Sequence, residues 1–306
     1  MSKHVAVLMG GWSAEREVSL VSGRAVAKAL RQQGYSVTEI DAGRDVAQTL
    51  AALEPRPDAV FNALHGRYGE DGWVQGVLNV LDLPYTHSGL LASALAMNKP
   101  VAKRLFGEAG IPCPEGTVVD LETAVAGRAM APPFVVKPVN EGSSVGVSIV
   151  LEEDNYPGIN ADDWRFGDQV LVERFIPGRE ITVAVMGERA LGALEIRPKN
   201  GFYNYTAKYT EGKADHVMPA PIAAAAYDEA LRLAFLAHQT LGCRGVSRAD
   251  LRYDDTAGEP GRLYVLEVNT QPGMTPLSLV PEIAAHAGIE FGELVGWMVE
   301  EAQCDS

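Results

Sequence analysis

The chain has 306 residues, and one hydrophobic core seldom organises more than ~250–300, so two or three domains are expected. Hydrophobic residues make up 47% and charged residues 22%, an ordinary globular balance that argues against disorder. With 26 Lys+Arg against 40 Asp+Glu the formal net charge is −14; such a surface repels phosphate backbones, which argues against nucleic acid as a partner and requires a local basic pocket for any anionic ligand.

No apolar run approaches the ~18–20 residues of a membrane span, so no membrane insertion is expected. Residues 5–9 form an apolar run too short for a signal peptide core, and Gly10-Gly11 breaks it, so it reads as a first strand. Cys113, Cys243 and Cys304 are odd in number and unpatterned; they fit neither a disulfide framework nor a CxxC metal site and suit a reducing cytoplasm.

From 16 to 32, apolar Val18, Val21, Ala25, Val26, Ala29 and Leu30 recur at helical spacing. Strands are expected at 35–40 and 59–64, and helices at 46–53 and 73–81, with the loop HGRYGEDG at 65–72. This β-α-β-α-β rhythm predicts an open parallel sheet binding ligands at the carboxyl ends of its strands, so the loops at 10–13 and 65–72 should face one pocket. Residues 92–110 read as a helix that Pro100 starts or kinks, and IPCPEG at 111–116 reads as a linker. FVVKPV, the Gly/Ser loop at 141–146 and VSIVL predict an antiparallel hairpin, followed by the strand VLVERFI at 170–176. Strands ITVAVMG and ALGALEI, a polar-aromatic loop at 197–216, a helix at 227–241 and two strands at 245–253 and 263–270 follow.

The last two strands carry the most chemistry. Residues i and i+2 share a strand face, so Arg248 and Asp250 point together, as do Glu267 and Asn269, while Ala249, Leu251, Leu266 and Val268 pack the other side. If the strands pair, two carboxylates and an amide converge with one guanidinium. That is either a solvated polar face or a hard-oxygen site suited to Mg²⁺. Lys137, in an apolar strand, either snorkels from an edge or joins the backbone N–H groups of 141–146 and the Ser143 and Ser144 hydroxyls in holding phosphates. Neither GxxxxGK[ST] nor GxGxxG occurs. Glu173 and Glu180 are either surface glutamates at a strand connection or acceptors for an adenine amine and a ribose diol. The aromatic density of 197–216, with Lys199, Phe202, Tyr203, Tyr205, Lys208 and Tyr209, favours a lid.

Together GGWSAEREVS (10–19), ALHGRYGEDG (63–72), FVVKPVNEGSSVG (134–146), NYTAKY (204–209), SRADL (247–251) and LEVNTQPGMTPLSLVP (266–281) strongly resemble the D-alanine–D-alanine ligases of the ATP-grasp superfamily, in family order from about residue 5 to 300. The resemblance implies a mixed α/β chain. An N-terminal open parallel-sheet, Rossmann-like domain (1–96) would precede the two ATP-grasp subdomains, 97–178 and 179–306. It implies an ATP-dependent enzyme that joins two D-alanines through a D-alanyl phosphate for peptidoglycan, in the cytoplasm and as a homodimer.

By position, Lys99, Lys137, Ser144 and Lys208 would hold phosphates, while Glu173, Arg174, Phe175, Glu180 and Phe202 would form the nucleoside site. Asp250, Glu267 and Asn269 would bind two Mg²⁺ or Mn²⁺ ions. Glu15, Ser143 and Tyr209 would link the first-substrate site to the lid, with Lys208 beside them and His65 next to the first D-alanine. Arg248 and the Gly273 N–H would stabilise an oxyanion, and Ser278 with the Leu279 amide would take the second substrate's carboxylate. Trp12, Asn98 and Arg174 depart from the usual family residues without removing a proposed ligand.

Overall fold

The computed structural model describes residues 2–143, 145–151, 164–199 and 212–305. Strand β1 (His4–Gly10) lies between β2 (Ser36–Ala42) and β3 (Ala59–Asn62), parallel to both. Val5, Ala6, Val7 and Leu8 are all buried, as expected of a parallel strand covered on both faces. Helix α1 (Arg16–Gln32) follows the Gly10-Gly11 turn, where both glycines adopt positive φ. Its inward stripe differs from the expected one. Val21 is 44% exposed, and Ser19 and Ser22 are buried instead, so the start of the helix turns a small polar face toward the strand ends.

Helices α2 (Val46–Ala51) and α3 (Trp73–Val80) flank this sheet. The single helix expected at 92–110 is two, α4 (Leu90–Met97) and α5 (Lys99–Glu108). The break is chemical: the Asn98 side chain accepts from Val101 N at 3.2 Å as an N-cap, and Pro100 occupies the first turn, where no N–H is needed.

A second sheet, ordered β4-β7-β5-β6 and antiparallel throughout, contains β4 (Gly116–Asp120), β5 (Phe134–Pro138), β6 (Ser148–Val150) and β7 (Gln169–Arg174). Helix α6 (Leu121–Val125) covers its small core of Phe134, Val136, Val150, Val170 and Val172. The β5–β6 pair is the hairpin expected around the Gly/Ser loop, whereas β4 and α6 were not signalled by periodicity.

The third sheet is antiparallel, ordered β10-β9-β8-β11-β12, with β8 (Arg179–Met186), β9 (Arg189–Pro198), β10 (Ala214–Val217), β11 (Val246–Asp254) and β12 (Arg262–Asn269). Helix α7 (Ala224–Thr240) packs with α5 against one face through Leu233, Ala237, Phe106 and Leu251. Helices α8 (Leu279–His286) and α9 (Phe291–Glu300) join the other face to the parallel sheet in one core that includes Ile283, Val295, Leu194, Val5 and Phe61. Strands β9 and β10 take up both ends of the expected 197–216 loop; Phe202, Tyr203, Tyr205, Lys208 and Tyr209 lie outside the described residues, as does Ser144.

Candidate active site

Strands β11 and β12 pair so that Arg248 stands opposite Asn269 and Asp250 opposite Glu267. The expected convergence of oxygen donors therefore occurs. The register then shifts: Leu251 faces Val265, leaving Leu266 as a bulge residue. The expectation that Leu266 packs with Val268 in the core is corrected by this bulge, which re-aims Leu266 into the cavity wall beside Glu267. Asp250 is 8% exposed; its Oδ1 accepts from Thr182 Oγ1 at 2.7 Å and Arg248 Nε at 2.8 Å, and its Oδ2 from Arg248 Nη2 at 2.7 Å. Glu267 Oε2 lies 3.4 Å from Lys99 Nζ, and Asn269 Oδ1 accepts from Gln271 N at 2.8 Å. Two carboxylates and an amide on opposed strand positions are hard oxygen donors, and this set fits a Mg²⁺-like cation, with Arg248 and Lys99 balancing the charge.

A second ionic cluster borders the same cleft, near enough for the charge of Glu267 to act on Lys137. Lys137 of β5 and Glu173 of β7 are diagonal neighbours on one face, since Glu173 pairs with Val135. Lys137 Nζ pairs with Glu173 Oε2, and Lys103 Nζ, from α5, pairs with Oε1. Burial alone would raise the Glu173 carboxyl, but the charges of Lys137 and Lys103 outweigh it and hold it below the ordinary range. Burial would likewise lower Lys137, and the charges of Glu173 and Glu267 hold it above its usual value instead. The buried Lys137 is thus not an edge lysine reaching for solvent.

Between these clusters the two antiparallel sheets enclose a cavity of about 630 Å³. Its walls include Lys99, Lys137, Glu173, Phe175, Glu180 and Glu267, with Arg174 at the mouth. Phe175 lies under the Arg252 guanidinium at 5.8 Å, and the same arginine approaches Glu180 at 4.0 Å. Apolar surface with a few directed polar groups is the composition of a small-molecule site.

A smaller pocket of about 60 Å³ adjoins it, sharing Lys99, Glu141 and Glu267 with the first. Here the loops at 10–13 and 65–72 meet as expected: Ser13 Oγ donates to His65 O at 2.7 Å. Glu15 is the N-cap residue of α1, but its side chain makes no cap hydrogen bond and instead accepts from Ser143 Oγ. Ser143 holds φ 50°, a left-handed conformation uncommon outside glycine, at the tip of the Gly/Ser loop. His65, 6% exposed, stands 3.4 Å from Ser22 Oγ and 3.8 Å from Glu70 Oε2. Gly273 lies close to Ser278, and a Cβ there would come within 2.9 Å of Ser278 Oγ. Ser278, the N-cap residue of α8, accepts from Thr275 N at 2.9 Å through Oγ, and buried Leu279 opens the helix.

Several contributors were not legible in advance. Ser19 ties the strand ends, accepting from Gly10 N at 2.8 Å and donating to Ala63 O at 2.6 Å. Ser22 also accepts from Met274 N at 3.2 Å, which joins α1 to the 273–278 turn. Gln271 accepts from Asn62 Nδ2 at 2.8 Å and donates to Leu64 O. Their signal was polarity on the inward helix face and in the strand-end loops, which is visible only once the burial of those positions is known. Lys103 had a spacing signal, four residues after Lys99 on a helix.

A cleft between two antiparallel sheets, lined by lysines and by paired carboxylates where it meets a small polar pocket, and a parallel sheet that contributes to that pocket are the features of an ATP-grasp enzyme. Family profiles for the D-ala D-ala ligase N-terminus and C-terminus match residues 42–88 and 106–300. A D-alanine–D-alanine ligase of Paramagnetospirillum magneticum is 64% identical over 308 residues, covering 100% of both chains, and one of Parvibaculum lavamentivorans is 60% identical over 99% of both. Crystal structures of the Bacillus anthracis ligase, one of them complexed with ATP, superpose with TM-scores of 0.84 and, for the ATP complex, 0.81, at 31% and 29% identity, over 98% of this chain and 97% of theirs. The chain belongs to the D-alanine–D-alanine ligase family.

Proposed function

We propose that this protein uses ATP to join two D-alanines into D-alanyl-D-alanine for peptidoglycan precursors, releasing ADP and phosphate. The observation that supports the reading is the junction at Lys99 and Glu267, residues shared by a cavity of about 630 Å³ and an adjoining polar pocket of about 60 Å³. A carboxylate is a poor electrophile, so an oxygen of the first D-alanine attacks the γ-phosphorus of ATP and the bond to the ADP oxygen breaks. The amine of the second D-alanine then attacks the acyl carbon and loses a proton, and the C–O bond to phosphate breaks.

Catalysis of the first step is mainly positioning and charge neutralisation. Lys99 and Lys137 draw the phosphates toward the junction, Glu173 and Glu180 accept from the adenine amine and the ribose, and Arg174 and Phe175 border the base. Glu15, oriented by Ser143, takes the ammonium of the first D-alanine, with His65 beside it. Arg248 and the Gly273 N–H stabilise the oxyanion of the second step; one such donor contributes about 3–4 kcal/mol. Ser278 and the Leu279 N–H receive the second carboxylate. When bound through Asp250, Glu267 and Asn269, two Mg²⁺ or Mn²⁺ ions would neutralise charge on the transferring phosphoryl group. Ser144, Phe202, Lys208 and Tyr209 belong to the proposed phosphate and lid contacts that keep water from the acyl phosphate. We also assign parts 1–96, 97–178 and 179–306, each holding one sheet, and a homodimer in the cytoplasm.

The test is phosphate release from ATP on addition of D-alanine, with the product identified by mass in D-alanine alone and in D-alanine plus D-lactate. Dipeptide in both supports the reading; ATP binding without D-alanine-dependent release would defeat it.

A further inference from the structure

Helix α5 carries Lys99 and Lys103 four residues apart, which places both on one face. They serve different carboxylates. Lys99 Nζ approaches Glu267 at 3.4 Å, whereas Lys103 Nζ pairs with Glu173 Oε1 and donates to Pro114 O at 2.7 Å. Glu173 is 2% exposed, and its other oxygen pairs with Lys137. The carboxylate therefore has one cation on each oxygen, but the two are not equivalent. Lys137 lines the large cavity and Lys103 does not. Lys103 stands behind Glu173, next to Gly116, which faces Glu173 across β4 and β7. A Cβ at Gly116 would lie 3.1 Å from Lys103 Nζ and 2.9 Å from Glu173 Cγ, so the absence of a side chain there leaves space beside the lysine–carboxylate pair.

This inference rests on the ATP-dependent reading above, in which Lys137 turns to the nucleotide. Glu173 then gives up one of its two counter-ions in a place where a lone buried charge is strongly disfavoured. We propose that Lys103 is the permanent counter-ion of Glu173, a positioning residue that keeps the carboxylate charged and aimed at the base while Lys137 engages the nucleotide, and thereby sets the preference for adenine. A charged carboxylate only accepts hydrogen bonds, so it pairs with the 6-amino group of adenine and opposes the 6-oxo group of hypoxanthine. A site that leaves such a group unpaired discriminates strongly.

The experiment compares wild type, Lys103→Met and Lys103→Arg by steady-state kinetics with ATP and ITP at saturating D-alanine, and by equilibrium binding of each nucleotide without D-alanine. In Lys103→Met the KM for ATP should rise about tenfold with kcat within about twofold, and the ATP-over-ITP ratio should fall about tenfold in kcat/KM and in binding, the scale of one hydrogen bond to a charged group. Lys103→Arg should restore the ratio. A Met variant whose ratio stays within twofold of wild type, one that loses kcat alone, or an Arg variant as impaired as Met overturns the proposal. Should the Met variant fail to fold, Lys103→Gln, which keeps a donor for Pro114 O, carries the same expectation and the same refutation. A wild type that binds ATP over ITP yet releases no phosphate with D-alanine refutes the ligase reading, while the binding ratios still decide the role of Lys103.

Discussion

Glu267 meets Asp250 across paired strands and Lys99 from the helix opposite, so its charge belongs to the junction and not to the core. Glu267→Gln keeps the shape and removes the charge. Turnover should fall at least about a hundredfold, with the melting temperature within a few degrees of wild type. A rate within threefold of normal would remove Glu267 from the chemistry. Two other side chains set an acid limit on stability. Burial pushes His87 down to about 3 and His238 down to about 4, the latter with Nδ1 2.7 Å from Ser247 Oγ. Both titrate near 6.5 when unfolded, so below that pH the unfolded chain binds more protons and stability is lost as pH falls. Each histidine contributes a slope of about 1.4 kcal/mol per pH unit. Calorimetry between pH 7 and 5 should show the decline, and His238→Gln should remove about half of it, leaving the part due to His87; an unchanged slope would mean that His238 is not titrating on unfolding.

Among the elements, α5 does most to assemble the site, because it brings two lysines to two carboxylates and buries Ala102 and Phe106 behind them. Its start depends on Asn98, which separates it from α4 and caps Val101 N. Asn98→Ala should cost about 1 kcal/mol of stability, readable from chemical denaturation, and should raise the KM for ATP because Lys99 follows the cap directly. Asn98→Asp should retain both, since the carboxylate accepts the same bond and suits a helix N-terminus. Equal stability of the Ala variant and wild type would show that Pro100 alone stops α4. The helix and its lysines were legible in the sequence, but the break was not resolved: a kink and a cap both follow from a proline after an asparagine, and only the hydrogen bond distinguishes them. The bulge at Leu266 was equally hidden. Strict alternation sent that side chain inward, and one extra residue in β12 reversed it.

Over the whole molecule, cores cross between sheets. Ile283, fully buried, packs in the cluster that contains Val5 and Phe61 of the parallel sheet and Leu194 of the five-stranded sheet. Ile283→Ala should destabilise by about 2–5 kcal/mol and move a single calorimetric transition for both sheets. Two separated transitions would show that the shared core does not couple them. The four-stranded sheet keeps its own small core around Val136 and Val172, and the Lys103–Glu173 ion pair and the Lys99 N to Val139 O hydrogen bond are among its ties to α5.

The sequence by itself determined the acidic charge, most of the strands and helices, and the motifs that mark the family, because local spacing and residue type encode these directly. Only the tertiary structure decided which charges neutralise each other. Lys103 joins Glu173 from 70 positions away, and Ser22 reaches Met274 across 252. Pairings of that kind follow from register, bulges and burial, which arise when distant segments exclude water from one another, and no window along the chain contains them.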